Sequence, residues 1–223
     1  MQAVGKLTTA LEPRRKELRD GDYVVHVHII EARDLKSRDA NGMSDPVVQV
    51  EVCGQKRHTA VKKECLNAVY DEILSFELQN MQAREIDLAA VRINVRDSST
   101  LRRDRMIGSY VIDVSQVYYR KHHELYRQWV ALTDSTGKHD GIQGYLRCSV
   151  VVLGPGDEQH THSDKELEED EGDNQIEVLM PPNIATSAAA LSLSVFSLKD
   201  LPKMDQMGPG CDPRAVLQFC GAK

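Results

Sequence analysis

Short apolar runs recur along residues 23–153, and polar turn residues separate them. The clearest alternation predicts that Val91, Ile93 and Val95 share one buried face of a strand. Eight runs are predicted as strands: Tyr23–Ile30, Val47–Val52, His58–Lys63, Ile73–Leu78, Val91–Arg96, Tyr110–Val114, Trp129–Leu132 and Tyr145–Leu153. Short strands joined by polar turns predict an all-β fold, an eight-stranded antiparallel β-sandwich. Val117–Tyr126 fits either a helical turn or a loop, and Trp129 is predicted in the core.

The composition divides the chain into four parts. Residues 1–21 are predicted as a lead-in and residues 22–153 as the sandwich domain. Residues 155–174 carry nine Asp and Glu against one Lys. Such a run buries too little apolar surface to order itself, so 154–190 is predicted as an acidic linker. Residues 193–205 repeat the pattern of residues 27–39, which indicates tandem domains.

Residues 191–223 are therefore predicted as the start of a second, truncated domain within a longer protein. Its two strand-like runs, Leu191–Phe196 and Ala215–Phe219, are too few for a core of their own. Because unpaired strand edges recruit other strands, we expect these runs to dock on the first domain or to pair with another chain. The second possibility is strand-mediated self-association.

Charge and motifs exclude several functions. The net charge of −6 arises in the acidic linker, since residues 1–154 carry 23 Lys and Arg against 21 Asp and Glu. This small basic surplus, with 5% aromatic residues, argues against nucleic-acid binding. No nucleophile elbow or phosphate-binding glycine loop occurs, so no catalysis is predicted. Five Cys without a C-x-x-C pair indicate reduced thiols, and no apolar run spans a bilayer. The expected location is the cytoplasm, and any action at a membrane is expected to be peripheral.

The stretch Asp34–Pro46 holds the most informative chemistry. It is a polar loop between two predicted strands, and it carries Asp39 and Asp45 six residues apart. Oxygen-rich loops of this kind suit Ca²⁺, which takes six to eight oxygen ligands. The alternative is that the two carboxylates cap turns, as Asp often does.

The same stretch resembles the first loop of a C2 domain, a Ca²⁺- and phospholipid-binding module. Several further segments resemble an inner C2 domain of the ferlins: Asp97–Arg102 with Ile107–Gly108, Arg127–Asp134, Gly144–Leu146 and Val152–Glu158. The acidic segment is similar to FerI, and Asp200–Asp205 is similar to the opening of the next C2 domain. The resemblance covers residues 22–223. It implies a large tail-anchored protein in which several C2 domains act in vesicle traffic, membrane fusion and exocytosis.

The resemblance also implies a degenerate Ca²⁺ site. Of five expected carboxylates, Asp39, Asp45 and Asp97 match, Ser99 replaces the fourth, and Arg105 falls at the fifth with Asp104 one residue early. Fewer anionic ligands lower Ca²⁺ affinity, and a guanidinium repels the ion. Ca²⁺ is therefore a possible cofactor of weak affinity, and dependence on it is expected to be weak or absent.

Basic residues supply a competing mechanism for membrane binding. Two basic sets are predicted to meet anionic phospholipid. The first is Arg102, Arg103 and Arg105, and the second is Lys56, Arg57, Lys62 and Lys63. Two apolar residues, Met43 and Leu101, are predicted at the loop tips. The resemblance places the second set near a concave face that holds phosphoinositide headgroups. For each basic set the alternative is a solvated face. For the two apolar residues it is packing within the loops.

The first hypothesis is thus a non-catalytic peripheral phospholipid-binding module, with other C2 domains of the full-length protein as further partners. The alternative is a protein-interaction or scaffold module without lipid binding.

His26 and His28 are predicted on a half-buried strand face. His122, His123, His160 and His162 are predicted to be exposed to solvent in polar loops.

Overall fold

The described part of the chain is mostly β-strand. The computed structural model describes residues 17–37, 42–98, 105–163, 178–181 and 192–197. Within these ranges the strands are β1 Gly21–Arg33, β2 Pro46–Val52, β3 Gln55–His58, β4 Ala68–Met81, β5 Ala90–Asp97, β6 Arg105–Asp113, β7 Glu124–Thr133, β8 Ile142–Leu153 and β9 Val178–Leu179. Helices α1 Ala83–Asp87 and α2 Val114–Tyr118 and a 3₁₀ turn at Lys121–His123 complete the described elements. None of these helices has the length and apolarity needed to cross a bilayer.

Eight of these strands form the predicted antiparallel sandwich. One layer has the order β4-β1-β8-β7, and the other has the order β6-β5-β2-β3. Among the described residues, the layers meet in hydrogen-bonded register only where Ser109 of β6 lies opposite Thr133 of β7. The sandwich is therefore nearly closed at the β6–β7 junction.

The core lies between the two layers and follows the predicted alternation. Val91, Ile93 and Val95 of β5 are fully buried, as the sequence predicts. In β1, alternate residues from Tyr23 to Ile29 face the same core. Trp129 is also buried, but it lies outside this central cluster, under the Arg33 guanidinium at 5.1 Å from its ring.

Two glycines permit close contacts near the β6–β7 junction. A Cβ on Gly108 would lie 2.8 Å from the Cβ of Leu132, so no side chain fits there. Gly144 has φ +140°, and a Cβ on it would lie 2.8 Å from Leu35 Cδ2. These are glycines of the segments that resemble the ferlins, and packing explains why glycine stands at both.

The predicted strand His58–Lys63 was wrong in its position. Cys53 and Gly54 both have positive φ, 46° and 82°, and they form a two-residue turn that returns Gln55 opposite Val52. The strand therefore starts at Gln55 and ends at His58. The segment Val117–Tyr126 fits either a helical turn or a loop by its sequence. In the structure it contains the end of α2, the 3₁₀ turn and the start of β7.

The predicted strand Leu191–Phe196 was also wrong within the described residues 192–197, which form no strand. Leu193, Val195 and Phe196 are exposed there, and Phe196 is 94% exposed. A strand needs a partner in register, and nothing in the described part of the chain pairs with these residues. Ala215–Phe219 lies outside the described residues.

Candidate membrane-binding loops and basic face

The structure describes only part of the predicted site. The described members are Met43, Asp45, Lys56, Arg57, Lys62, Lys63, Asp97 and Arg105. The remaining members lie outside the described residues: Asp39, Leu101, Arg102, Arg103 and Asp104. The described part of the site thus consists of the inner ends of the two loops and the basic residues near β3.

Asp45 stands immediately before β2, and both of its carboxylate oxygens accept hydrogen bonds. Lys63 Nζ donates to Oδ2 over 2.8 Å, and the backbone N–H of Glu64 donates to Oδ1 over 2.8 Å. The Lys63 ammonium, with the Glu64 amide, holds the pKa of this carboxyl below its ordinary value. A lysine thus supplies the positive charge that a bound cation would bring to this carboxylate.

Asp97 ends β5 beside Asp45 and is almost completely buried, at 1% exposure. Its Oδ1 accepts a 2.9 Å hydrogen bond from the Asp45 backbone N–H, and the N–H of Ser98 donates to the Asp45 carbonyl over 2.9 Å. Its buried Oδ2 has no hydrogen-bond partner among the described residues. Arg105, the first residue of β6, lies directly opposite Asp97 in register. These contacts fix the two loop bases together.

This donor set fits Ca²⁺ only in part. Asp97 Oδ2 is a buried oxygen that accepts no hydrogen bond from the described residues, which favours a cation partner. Both oxygens of Asp45 are already used by Lys63 and Glu64, and an arginine faces Asp97 across the strands. A Ca²⁺ ion would have to displace the Lys63 ammonium before Asp45 could bind it. The described residues do not fit a strong Ca²⁺ site.

Removing the Asp97 carboxylate is expected to destabilise the loop bases. Asp97→Ala leaves the part-buried Asp45 N–H without its acceptor, so the free energy of unfolding should fall by about 1–3 kcal/mol. Asp97→Asn keeps an acceptor oxygen and should lose clearly less. Urea denaturation of the three proteins measures the difference. Equal losses in both variants would contradict the role of this hydrogen bond.

The predicted basic set near β3 divides into two groups. Lys56 and Arg57 lie on β3 and line a cavity of about 580 Å³ between β3 and β4. Lys56 pairs with Glu51 at 3.4 Å, and the Arg57 guanidinium lies 5.7 Å from the ring of Phe76. Both side chains therefore stand at the rim of a concave surface.

Lys62 and Lys63 follow β3 instead of lying on it, because the strand ends at His58. Lys62 Nζ lies 5.7 Å from the Tyr70 ring, and Lys63 reaches the loop base at Asp45. The backbone N–H of Lys62 donates to the carbonyl of Pro46 and holds this segment against the start of β2. The prediction that Lys62 and Lys63 lie on this strand was therefore wrong. The sequence could not show that Lys63 serves the carboxylate site.

Met43 is the described apolar residue of the first loop. It is 43% exposed, and its carbonyl accepts a 2.8 Å hydrogen bond from Ser37 Oγ. The backbone is therefore fixed while much of the side chain faces solvent. This position suits shallow contact with a membrane surface.

The histidine predictions had mixed outcomes. His26 and His28 are half-buried on β1, where they contact Ser75 and Asp71. The prediction that the other four are solvent-exposed was wrong. They form what we call the histidine cluster, His122, His123, His160 and His162, because the segment after β8 folds back over the start of β7. Among the described residues, no group of His, Cys, Asp and Glu has the geometry to hold a metal ion.

Comparisons with known proteins agree with this architecture. A family model of the C2 domain matches residues 23–132, and a model of the FerI (NUC094) domain matches residues 133–184. A solved structure of two successive C2 domains of Extended-Synaptotagmin 2 has a similar fold, with a TM-score of 0.50 at 18% identity. That match covers 62% of this chain and 41% of the other. The fold and the family match define a protein with a C2 domain.

Similar proteins of known family identify which kind of C2-domain protein this chain is. The chain is 32% identical to human myoferlin over 205 residues, which are 92% of this chain and 10% of that protein. It is 31% identical to myoferlin of Xenopus tropicalis over 185 residues, 82% of this chain and 9% of the relative. The chain belongs to the ferlin family, with a C2 domain followed by a FerI domain. It spans about a tenth of the length of these myoferlins.

Proposed function

We propose that this chain is a non-catalytic peripheral module that binds anionic phospholipid, with weak or absent dependence on Ca²⁺. The observation that carries the proposal is the 2.8 Å contact between Lys63 Nζ and Asp45 Oδ2. In a Ca²⁺-dependent module the ion neutralises the loop carboxylates so that they can approach anionic lipid. Here a lysine of the chain already neutralises one of them.

The rim at Lys56 and Arg57 supports the lipid part of the proposal. Each basic residue near an anionic bilayer contributes about 1 kcal/mol. Together with Arg102 and Arg103 of the third loop, they give about 4 kcal/mol, which corresponds to a dissociation constant of roughly millimolar. One module is therefore a weak binder, and further C2 domains of a full-length protein would add avidity.

Membership of the ferlin family supports a proposal for the cellular role. We propose that the module works on the cytoplasmic side of vesicle or plasma membranes, in the vesicle traffic and membrane fusion of a ferlin anchored by its tail. The surfaces that support this role are the exposed Met43 and the basic rim. Neither surface needs a bound ion to carry its charge or its apolar contact.

Co-sedimentation with liposomes tests the proposal. We expect binding to vesicles of phosphatidylserine and phosphoinositide, no binding to phosphatidylcholine, and less than about a twofold change when a chelator replaces Ca²⁺, because fixed charges carry the attraction. Binding lost in chelator would overturn the Ca²⁺-independent mechanism. Absence of binding in both conditions would instead favour the scaffold function.

A further inference from the structure

In the described part of the chain, β6 leaves most of the facing edge of β7 unpaired. β6 pairs with β7 only at Ser109 and Thr133. Beyond that point β9 lies parallel to β7, with Val178 opposite Trp129 and Leu179 opposite Val130. Because an unpaired strand edge accepts another strand, this opening is a strand-acceptor groove.

Burial along β7 shows that the groove is covered. Residues 129–132 are all buried, although one face of a sandwich strand normally meets solvent. Val130 and Leu132 belong to the central core, whereas Trp129 lies on the other face and is only 4% exposed. Both faces of β7 are therefore covered at this point.

The FerI segment supplies part of this cover. Leu179 of β9 packs against the central core, and Pro181 is buried. The FerI match also starts at residue 133, so it includes β8, which pairs with β1 and β7 inside the sandwich. Residues matched by the FerI model therefore form part of the same β-sandwich as the residues matched by the C2 model.

The histidine cluster provides a second attachment on the same element. The rings of His122 and His160 stack with their centroids 3.7 Å apart, and those of Tyr126 and His162 stack at 3.6 Å. His162 Nε2 also lies 3.0 Å from a Glu124 carboxylate oxygen. The segment after β8 therefore contacts β7 at two places. Residues 160–162 contact the start of β7, and β9 contacts β7 at Trp129.

We propose that Val178–Pro181 of the FerI domain is the same-chain occupant of the groove between β6 and β7, and that the C2 and FerI domains fold and act as one unit. The acceptor is the open edge of β7, and the donor is an extended apolar segment with Leu179 as its core residue. The histidine cluster holds residues 160–162 against the start of β7.

The single tryptophan makes the proposal directly measurable in the whole chain. Leu179→Asp places a charge against the core, so it should expel β9 from the groove. We expect a red shift of Trp129 fluorescence and, because local opening frees the backbone amides, at least about tenfold faster hydrogen exchange in residues 129–132. The matched control is Leu193→Asp, because Leu193 is 61% exposed and should change neither signal.

The remaining outcomes also decide the question. Loss of the whole sandwich in Leu179→Asp but not in Leu193→Asp supports one folding unit, and Leu179→Ala should then give a graded loss of stability. Identical spectra and exchange in both Asp variants would overturn the proposal. A wild-type dimer that Leu179→Asp converts to monomer would overturn the same-chain assignment, since the strand would then come from a second copy.

Discussion

Reversing the charge of Lys56 and Arg57 together should abolish measurable binding to anionic vesicles. The double variant Lys56→Glu, Arg57→Glu changes the charge at the rim of the β3–β4 cavity by four units. At about 1 kcal/mol for each unit, binding weakens by about 4 kcal/mol, or roughly a thousandfold. Co-sedimentation with phosphatidylserine and phosphoinositide vesicles measures the loss.

A control with the same charge change separates this rim from the overall charge. Arg84→Glu with Lys138→Glu alters two exposed residues, on α1 and in the loop after β7. We expect this control to bind at nearly the wild-type level. If the two double variants lose binding equally, net charge and not the β3–β4 surface is responsible. Thermal unfolding of both variants checks the contact between Arg57 and Phe76.

The second prediction concerns Lys63. Lys63→Met removes the ammonium from Asp45 Oδ2 and should raise Ca²⁺ affinity. A unit charge about 4 Å from a divalent ion repels it by about 2 kcal/mol at the dielectric constant of water, so the gain is roughly thirtyfold. Isothermal titration with Ca²⁺ measures the affinity. The variant should also acquire Ca²⁺-stimulated vesicle binding.

Lys62→Met is the matched control, because Lys62 faces Tyr70 and not the carboxylate. Ca²⁺ affinities that agree between the Lys62 and Lys63 variants would contradict the role given to Lys63. Asp45→Asn in the Lys63→Met background should remove the gained affinity. This third variant shows that the new binding uses the loop carboxylate.

The same contact has a pH signature with a definite sign. The pKa of Asp45 is lowered below its ordinary value of 3.8, mainly by Lys63. The ion pair therefore stabilises the fold fully above that value, and the stabilisation disappears as the pH falls through the lowered pKa. The stability difference between wild type and Lys63→Met should be constant from about pH 7 to about pH 5 and shrink below about pH 4. A difference that grows on acidification would contradict this assignment.

Much of the fold could be predicted from local patterns. Alternation at Val91–Val95 indicated a strand with one buried face, and the structure confirms it. The extent of β3 could not be predicted in the same way, because the turn at Cys53 and Gly54 fixes the register of Gln55. A short polar strand carries no apolar alternation that would show where it starts.

The sequence predicted which residues belong to the candidate site, but it did not predict which of them contact one another. Asp45 was recognised from its spacing to Asp39, and Asp97 from the resemblance alone. The two residues do lie together, through a hydrogen bond between residues 52 positions apart. Lys63 was assigned to a basic face, whereas it pairs with Asp45. Local patterns describe which side of a strand a residue occupies, but they do not describe which distant loop it reaches.

The sequence by itself determined that this chain is a β-sandwich with a polar loop of carboxylates and an acidic FerI segment. Only the tertiary structure decided that Lys63 pairs with the Asp45 carboxylate, that His160 stacks on His122, and that β9 lies beside Trp129. The physical reason is that strand periodicity is a local property of the chain. Contacts between residues 18 to 49 positions apart depend instead on strand order and register, which form only when the layers pack.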